Sequence, residues 1–347
     1  MAEYYDEEDY TKLGLIGSGS FGDVYKIEEK KTGDVYVLKT FQPGSKGYAH
    51  AESEINALQK LDHENIVKII ASSDITNRRK NESAHIVLEH MPCNLYNAIK
   101  THPEIKENTR EILHQILSGV AHIHSKKLVH RDIKPENILI DPANMSVKIC
   151  DLGNCCDGEE EIFHGRSMDW YHQDILDIVC LMVRLYLGES SSDWGSSKVF
   201  SMDGMKSFFE AQRNGVLPDN GFGTVYKKME DVVSKNGLYL FIKLIASERN
   251  GGCTTAAEAL KHPFFEERHA QDASERNSGG TIAEEALKHL FSDEGNEQDT
   301  LPKESKQRHE QDTHCRRNQT AAGFQLKQGR VLFLIQKSKN FLLSCLA

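Results

Sequence analysis

The run His130-Arg131-Asp132-Ile133-Lys134-Pro135-Glu136-Asn137 places a carboxylate, an ammonium and an amide in one short stretch of chain. Asp132 can accept the proton of an incoming hydroxyl, and Lys134 can offset charge on a γ-phosphate. A second carboxylate follows in Cys150-Asp151-Leu152-Gly153. Asn137 and Asp151 together offer the hard oxygens that Mg²⁺ takes. A base, a cation and paired oxygen donors are the equipment of phosphoryl transfer, in which a protein mainly positions groups and neutralises charge.

Two upstream features fit that chemistry. Gly17-Ser18-Gly19-Ser20-Phe21-Gly22, followed by Val24, lies between two strand-like stretches. Glycines there let backbone N–H groups close over phosphates without Cβ interference. A strand follows, which separates the loop from a dinucleotide fingerprint, where a helix N-terminus meets the phosphates. Taken alone, the loop reads equally well as a hairpin without a ligand. Lys39 ends the stretch Val35-Tyr36-Val37-Leu38-Lys39, and Glu54 falls on the next helical segment. A buried lysine needs such a carboxylate to stay charged. The pair could hold Lys39 over the α- and β-phosphates.

The elements that must position these groups are legible as strands first and helices later. Residues 13–41 read as strands, with 24–27 and 35–41 flanking the hairpin-like Lys31-Thr32-Gly33-Asp34. Residues 51–61 read as a short helix with Ile55 and Leu58 inward, and 85–89 as another strand. From Thr109, the residues Ile112, Leu113, Ile116, Leu117, Val120 and Ile123 recur at helical spacing. Residues 147–150 read as a strand. Residues 175–187 are apolar almost all round, which predicts a helix at the centre of a lobe. Further helices are expected near 238–245 and 256–261. The order predicts an α+β protein of two lobes.

The ordered set resembles the signature residues of the eukaryotic-type serine/threonine protein kinase family: glycine loop, strand lysine, helix glutamate, catalytic loop and metal-site aspartate. The resemblance covers about residues 10–266, including Asp174 and Ala259-Leu260-Lys261-His262-Pro263-Phe264-Phe265. It implies the two-lobe protein kinase fold, with a small mainly-β lobe to about residue 91 and a larger helical lobe beyond. ATP with Mg²⁺ would bind between them, and a protein Ser or Thr hydroxyl would receive the γ-phosphoryl group. Asp132 would be the base, Lys134 and Lys39 phosphate contacts, Glu54 the partner of Lys39, and Asn137 and Asp151 the metal ligands. ATP would meet Ile16, the glycine loop Gly17 to Gly22, Val24, Val37, Leu88, the backbone of Glu89 and Met91, Asn94 near the ribose, Glu136 and Leu139. The side chains of Glu89 and Met91 would matter little.

Several positions depart from that pattern. Leu152 stands where Phe is usual and should pack on His130 and Leu58. Val37 replaces a usual Ala and should tighten the adenine pocket. No APE motif lies between Gly153 and Asp174, and Cys253 occupies the slot of its arginine partner, with Arg249 too early. These departures leave open an ATP-binding scaffold with little activity on proteins. Ser167 and Tyr171 are the only hydroxyls between Leu152 and Gln173, so Glu159, Glu160 and Glu161 are expected to balance Arg131 without modification.

The bulk properties set bounds. The chain has 347 residues, 39% of them hydrophobic and 27% charged, with net charge −10. That is ordinary for a globular protein, and an acidic surface disfavours nucleic acid as a partner. Eight cysteines without a CxxC pair, and an acidic MAEYYDEEDY start, predict an intracellular protein of the cytoplasm, the nucleus or both. The vicinal pair Cys155-Cys156 reads as inert. The longest apolar run, 175–187, is too short for a transmembrane segment, which takes about 20 residues. Residues 246–272 align without a gap on 273–299, which reads as a tandem duplication whose second copy has lost Pro263 and Phe265 to Leu290 and Ser292. The expected division is an acidic extension 1–9, a kinase domain 10–266 and a largely disordered tail 267–347.

Overall fold

The computed structural model describes residues 3–19, 22–76, 82–158, 162–163, 166–167, 169–188, 199–216, 221–246 and 255–266. The second repeat copy, the tail, Ser20, Phe21, Glu159, Glu160, Glu161, Arg249 and Cys253 all lie outside these residues.

Strands β1 (Glu3–Tyr4), β2 (Tyr10–Gly19), β3 (Gly22–Glu29), β4 (Val35–Phe41), β5 (Ile69–Ser72) and β6 (Ala84–Glu89) form one sheet in the order β1-β5-β6-β4-β3-β2. All pairings are antiparallel except β1 with β5, where Glu3 and Tyr4 lie opposite Ala71 and Ser72. The acidic start of the chain therefore adds an edge strand, and Tyr5 stacks on Tyr10 with ring centroids 5.8 Å apart. Alternation along β3, β4 and β6 sends Ile27, Leu38 and Val87 to a small outer cluster. Phe41, Ile86 and Leu88 face the main core, as the period of two along a strand requires.

Helix α1 (Ser45–Leu58) crosses the inner face of this sheet. It begins six residues before the helix expected from residue 51 and ends short of 61. Gly47 explains the early start: a Cβ there would lie 2.2 Å from the Gln42 carbonyl oxygen, so only glycine lets the first turn approach the chain leaving β4. At the other end, Lys60 and Leu61 bond three residues back, to Ala57 and Leu58, closing the helix in a tighter turn.

The second part opens with β7 (Cys93–Asn94), α2 (Leu95–Thr101), α3 (Glu104–Glu107) and α4 (Thr109–Ser125). Then come β8 (Leu128–Val129), β9 (Ile138–Asp141), β10 (Ser146–Ile149), β11 (Cys156–Asp157) and the small hairpin β12 (Ile162–Phe163) and β13 (Arg166–Ser167). Helices α5 (Trp170–Leu187), α6 (Met202–Arg213), α7 (Gly221–Glu230), α8 (Lys235–Ile245) and α9 (Ala256–Ala259) complete it. The apolar positions forecast for α4 are all buried, and α5 buries Ile175, Ile178, Val179, Leu181, Met182, Val183 and Leu185. Pro263-Phe264-Phe265 docks on α4 and α8, with Phe264 fully buried and Arg110 over its ring.

Two close approaches join the parts. Ile66 bridges Ile149 in parallel, Val67 N–H donates to the Ile149 carbonyl and Ile149 N–H to that of Asn65, each at 2.9 Å. Gly119 permits α4 to reach this seam, since a Cβ would lie 2.8 Å from Ile149 Cδ1. A mainly-β part followed by a helical part is the architecture forecast.

Candidate active site

Lys39 stands on β4 opposite Val24 of β3 and Ile86 of β6, its side chain turned toward α1. Its Nζ donates to Glu54 Oε2 at 2.6 Å and to Asp151 Oδ1 at 2.7 Å. Burial works against its charge, but the two carboxylates outweigh that and hold Lys39 protonated well above its ordinary range. Asp151 is held below the usual carboxylate range because the nearby Lys39 outweighs burial. Glu54 is fully buried, and burial pushes it up.

The catalytic loop is fixed from beneath. Asp174 on α5 is fully buried and accepts the backbone N–H groups of His130 and Arg131, both at 2.8 Å. His124 Nε2 meets the same carboxylate at 3.0 Å. His130 Nε2 lies 3.0 Å from the Cys150 carbonyl, which can only accept, so the proton belongs on Nε2 and Nδ1 can take the Asp132 N–H. Above this base, Lys134 Nζ lies 2.6 Å from Asp132 Oδ2, and Asn137 Nδ2 donates to the Asp132 carbonyl and Oδ2. The hydrogen bonds of Asn137 run through its amide nitrogen and that of Asp151 through Oδ1. This leaves the amide oxygen of one and Oδ2 of the other for a cation. Asp151 itself is in the left-handed region, with φ 61°, a conformation held only when the surroundings over-determine it.

Sheet pairing sets several of the expected nucleotide contacts side by side. Val37 pairs with Leu88 across β4 and β6, and Asn94 with Leu139 across β7 and β9. Gly22 is obligatory, since a Cβ there would lie 1.8 Å from the Thr40 carbonyl oxygen. Two expectations need amending. Asn94 Oδ1 accepts the Asn97 N–H at 3.0 Å, so the side chain expected near the ribose also caps α2. The side chain of Glu89 is also not idle: it accepts the Lys68 N–H at 2.6 Å and meets Lys148 Nζ at 3.1 Å, tying β6 to β10.

A family model described as a protein kinase domain matches residues 10–169. Among curated proteins, the "Protein kinase gsk3" of Schizosaccharomyces pombe is 28% identical over 295 residues, covering 74% of each chain. The chain carries a protein kinase domain of the eukaryotic type.

Within this kinase, Leu152 is fully buried in the main core cluster, to which Leu58 also belongs. Cys155 is buried and its thiol is pushed up to about 12 by burial, so it is no nucleophile at neutral pH. Tyr171 lies against Gly158, where a Cβ would sit 2.4 Å from its ring, and edge-on to His124.

Asp177, one turn beyond Asp174, had no sequence signal. Burial chiefly, and then the charges of Asp174 and Asp132, push it up to about 7 against the hydrogen bond from Gln173 Nε2 at 2.9 Å. A carboxyl raised in the folded state costs nothing below its unfolded pKa, near 4. Its cost grows as pH rises and is complete above about 7. Asp177→Asn is therefore expected to stabilise the protein by roughly 1–3 kcal/mol at pH 8 and by almost nothing at pH 4. Melting temperatures at the two pH values check this, and a variant less stable at pH 8 would contradict it.

Proposed function

We propose that this chain transfers the γ-phosphoryl group of Mg-ATP to a Ser or Thr hydroxyl of a protein substrate. The reading is carried by one observation: Lys39 bridges Glu54 and Asp151, Lys134 and Asn137 converge on Asp132, and the Cys150 N–H donates to the Asn137 carbonyl at 2.9 Å, which joins the two sets. The family uses ATP and a divalent cation, and the donor set fits them. Asn137 and Asp151 would hold Mg²⁺, whose chemistry is to neutralise charge between the phosphates. Lys39 would contact the α- and β-phosphates, with Glu54 fixing its direction, and the glycine loop Gly17 to Gly22 would close over them. Asp132 would take the hydroxyl proton, and Lys134, already at its carboxylate, would offset charge on the group in transit. Ile16, Val24, Val37, Leu88 and Leu139 would enclose the adenine, with the backbone of Glu89 and Met91 as its polar edge and Glu136 nearby.

Lys134 two residues after the base and the similarity to a curated protein kinase favour Ser/Thr transfer over an inactive scaffold. The test is full-length protein with γ-labelled Mg-ATP and generic protein acceptors, followed by phosphoamino-acid analysis, with Asp132→Asn as control. Label on Ser and Thr that vanishes in Asp132→Asn is expected. Nucleotide binding without any transfer would establish the scaffold instead.

A further inference from the structure

Arg131 sits beside the base in the left-handed region, φ 69°, with its N–H held by Asp174 Oδ1 at 2.8 Å. Such a conformation is rare for a residue with a Cβ and persists only under local constraint, so the side chain leaves in a fixed direction. It runs to an aromatic ring. The Arg131 guanidinium carbon lies 4.3 Å from the centroid of Trp170, and Nη1 donates to Cys156 Sγ at 3.3 Å. Both partners are anchored. Trp170 opens α5, whose first turn is capped by Asp169 accepting the His172 N–H at 3.1 Å. Cys156 is held opposite Val129 by the pairing of β11 with β8, and the neighbouring Cys155 carbonyl accepts Ser53 Oγ at 2.9 Å. Ser53 precedes Glu54 on α1, so the clamp touches both halves of the site.

We propose that Trp170 is a positioning residue for phosphoryl transfer: its ring clamps Arg131, and through Arg131 the adjacent Asp132, in the unmodified chain. The inference rests on the kinase reading above. Tryptophan is the strongest of the aromatic rings in binding a cation over its face, and the contact strengthens when water is excluded. Ring and thiol are present without any modifying enzyme, so the catalytic loop is held in the unmodified chain.

The chain contains two tryptophans, Trp170 and Trp194, so Trp194→Phe leaves Trp170 as its own reporter. In that background, Arg131→Met should shift the emission of Trp170, a readout independent of turnover. Trp170→Ala should lower kcat about tenfold while leaving the KM for ATP unchanged, because a displaced base misaligns transfer rather than binding. Trp170→Phe, which keeps a ring face, should stay within about threefold of the parent. Phosphatase pretreatment should leave the parent's turnover intact. Emission unmoved by Arg131→Met, wild-type kcat in Trp170→Ala, or turnover lost on dephosphorylation would each overturn the clamp. If the parent shows no more transfer than Asp132→Asn, the kinase reading fails instead, and the fluorescence comparison still decides whether the ring holds the arginine.

Discussion

Asp151→Asn is expected to bring phosphoryl transfer to roughly a thousandth of the parent rate or below while the fold survives. Oδ1 of Asp151 is 2.7 Å from Lys39 Nζ, and burial is offset there by that cation, so the side chain is kept ionised for a charge-neutralising task. An amide keeps the shape and can still accept from Lys39, but it removes the negative charge that a divalent cation requires. Loss of one preorganised electrostatic contact costs about 3–4 kcal/mol of transition-state stabilisation. Lys39 retains Glu54 at 2.6 Å, so the buried carboxylate on α1 remains neutralised and the melting temperature should move by only a few degrees. Turnover with Mg-ATP, measured beside thermal melting, checks both halves. Parent-like turnover would remove Asp151 from the metal site.

How much of this site is legible without coordinates depends on how far apart its parts lie in the chain. Asp132, Lys134 and Asn137 fall within one loop, where short separation forces proximity, and their order alone indicates the chemistry. Lys39, Glu54 and Asp151 meet across a larger separation, and family resemblance places them together. The contacts between α5 and the loop had a weaker signal. Asp174 carries the resemblance, but Trp170 and Asp177 act through the register of α5 against residues 130–133, which no local pattern encodes. The acidic triplet expected to balance Arg131 falls outside the described residues, whereas the ring beside it had no charge to attract notice. The early start of α1 was hidden for a related reason. Glycine at 47 lowers helix propensity, yet the missing side chain is what lets that turn pack. Glu89 shows the same limit, because its backbone role follows from a motif while its pairing with Lys148 depends on where β10 lies.

Lys39→Met should abolish turnover as Asp151→Asn does, and unlike it should also weaken the fold in a pH-dependent way. Glu54 is fully buried, its Oε2 is met by Lys39, and Oε1 has no hydrogen-bond partner among the described residues. Removing the lysine strands a carboxylate in the core, and breaking a buried pair this way costs about 3–5 kcal/mol. Burial already raises the Glu54 pKa with Lys39 present, and without the cation it rises further. A raised carboxyl costs no stability while it is protonated in both states, below its unfolded value near 4. The cost appears as pH climbs from there through the folded value and persists above it. The deficit of Lys39→Met should therefore be largest at pH 8, about 10 °C in melting temperature, and should shrink steadily toward pH 4. Adding Glu54→Gln removes the stranded charge, so the double variant should recover most of that stability at pH 8 while remaining inactive. A deficit equal at both pH values, or a double variant no more stable than the single one, would show that Lys39 supports the fold by packing rather than by neutralising Glu54.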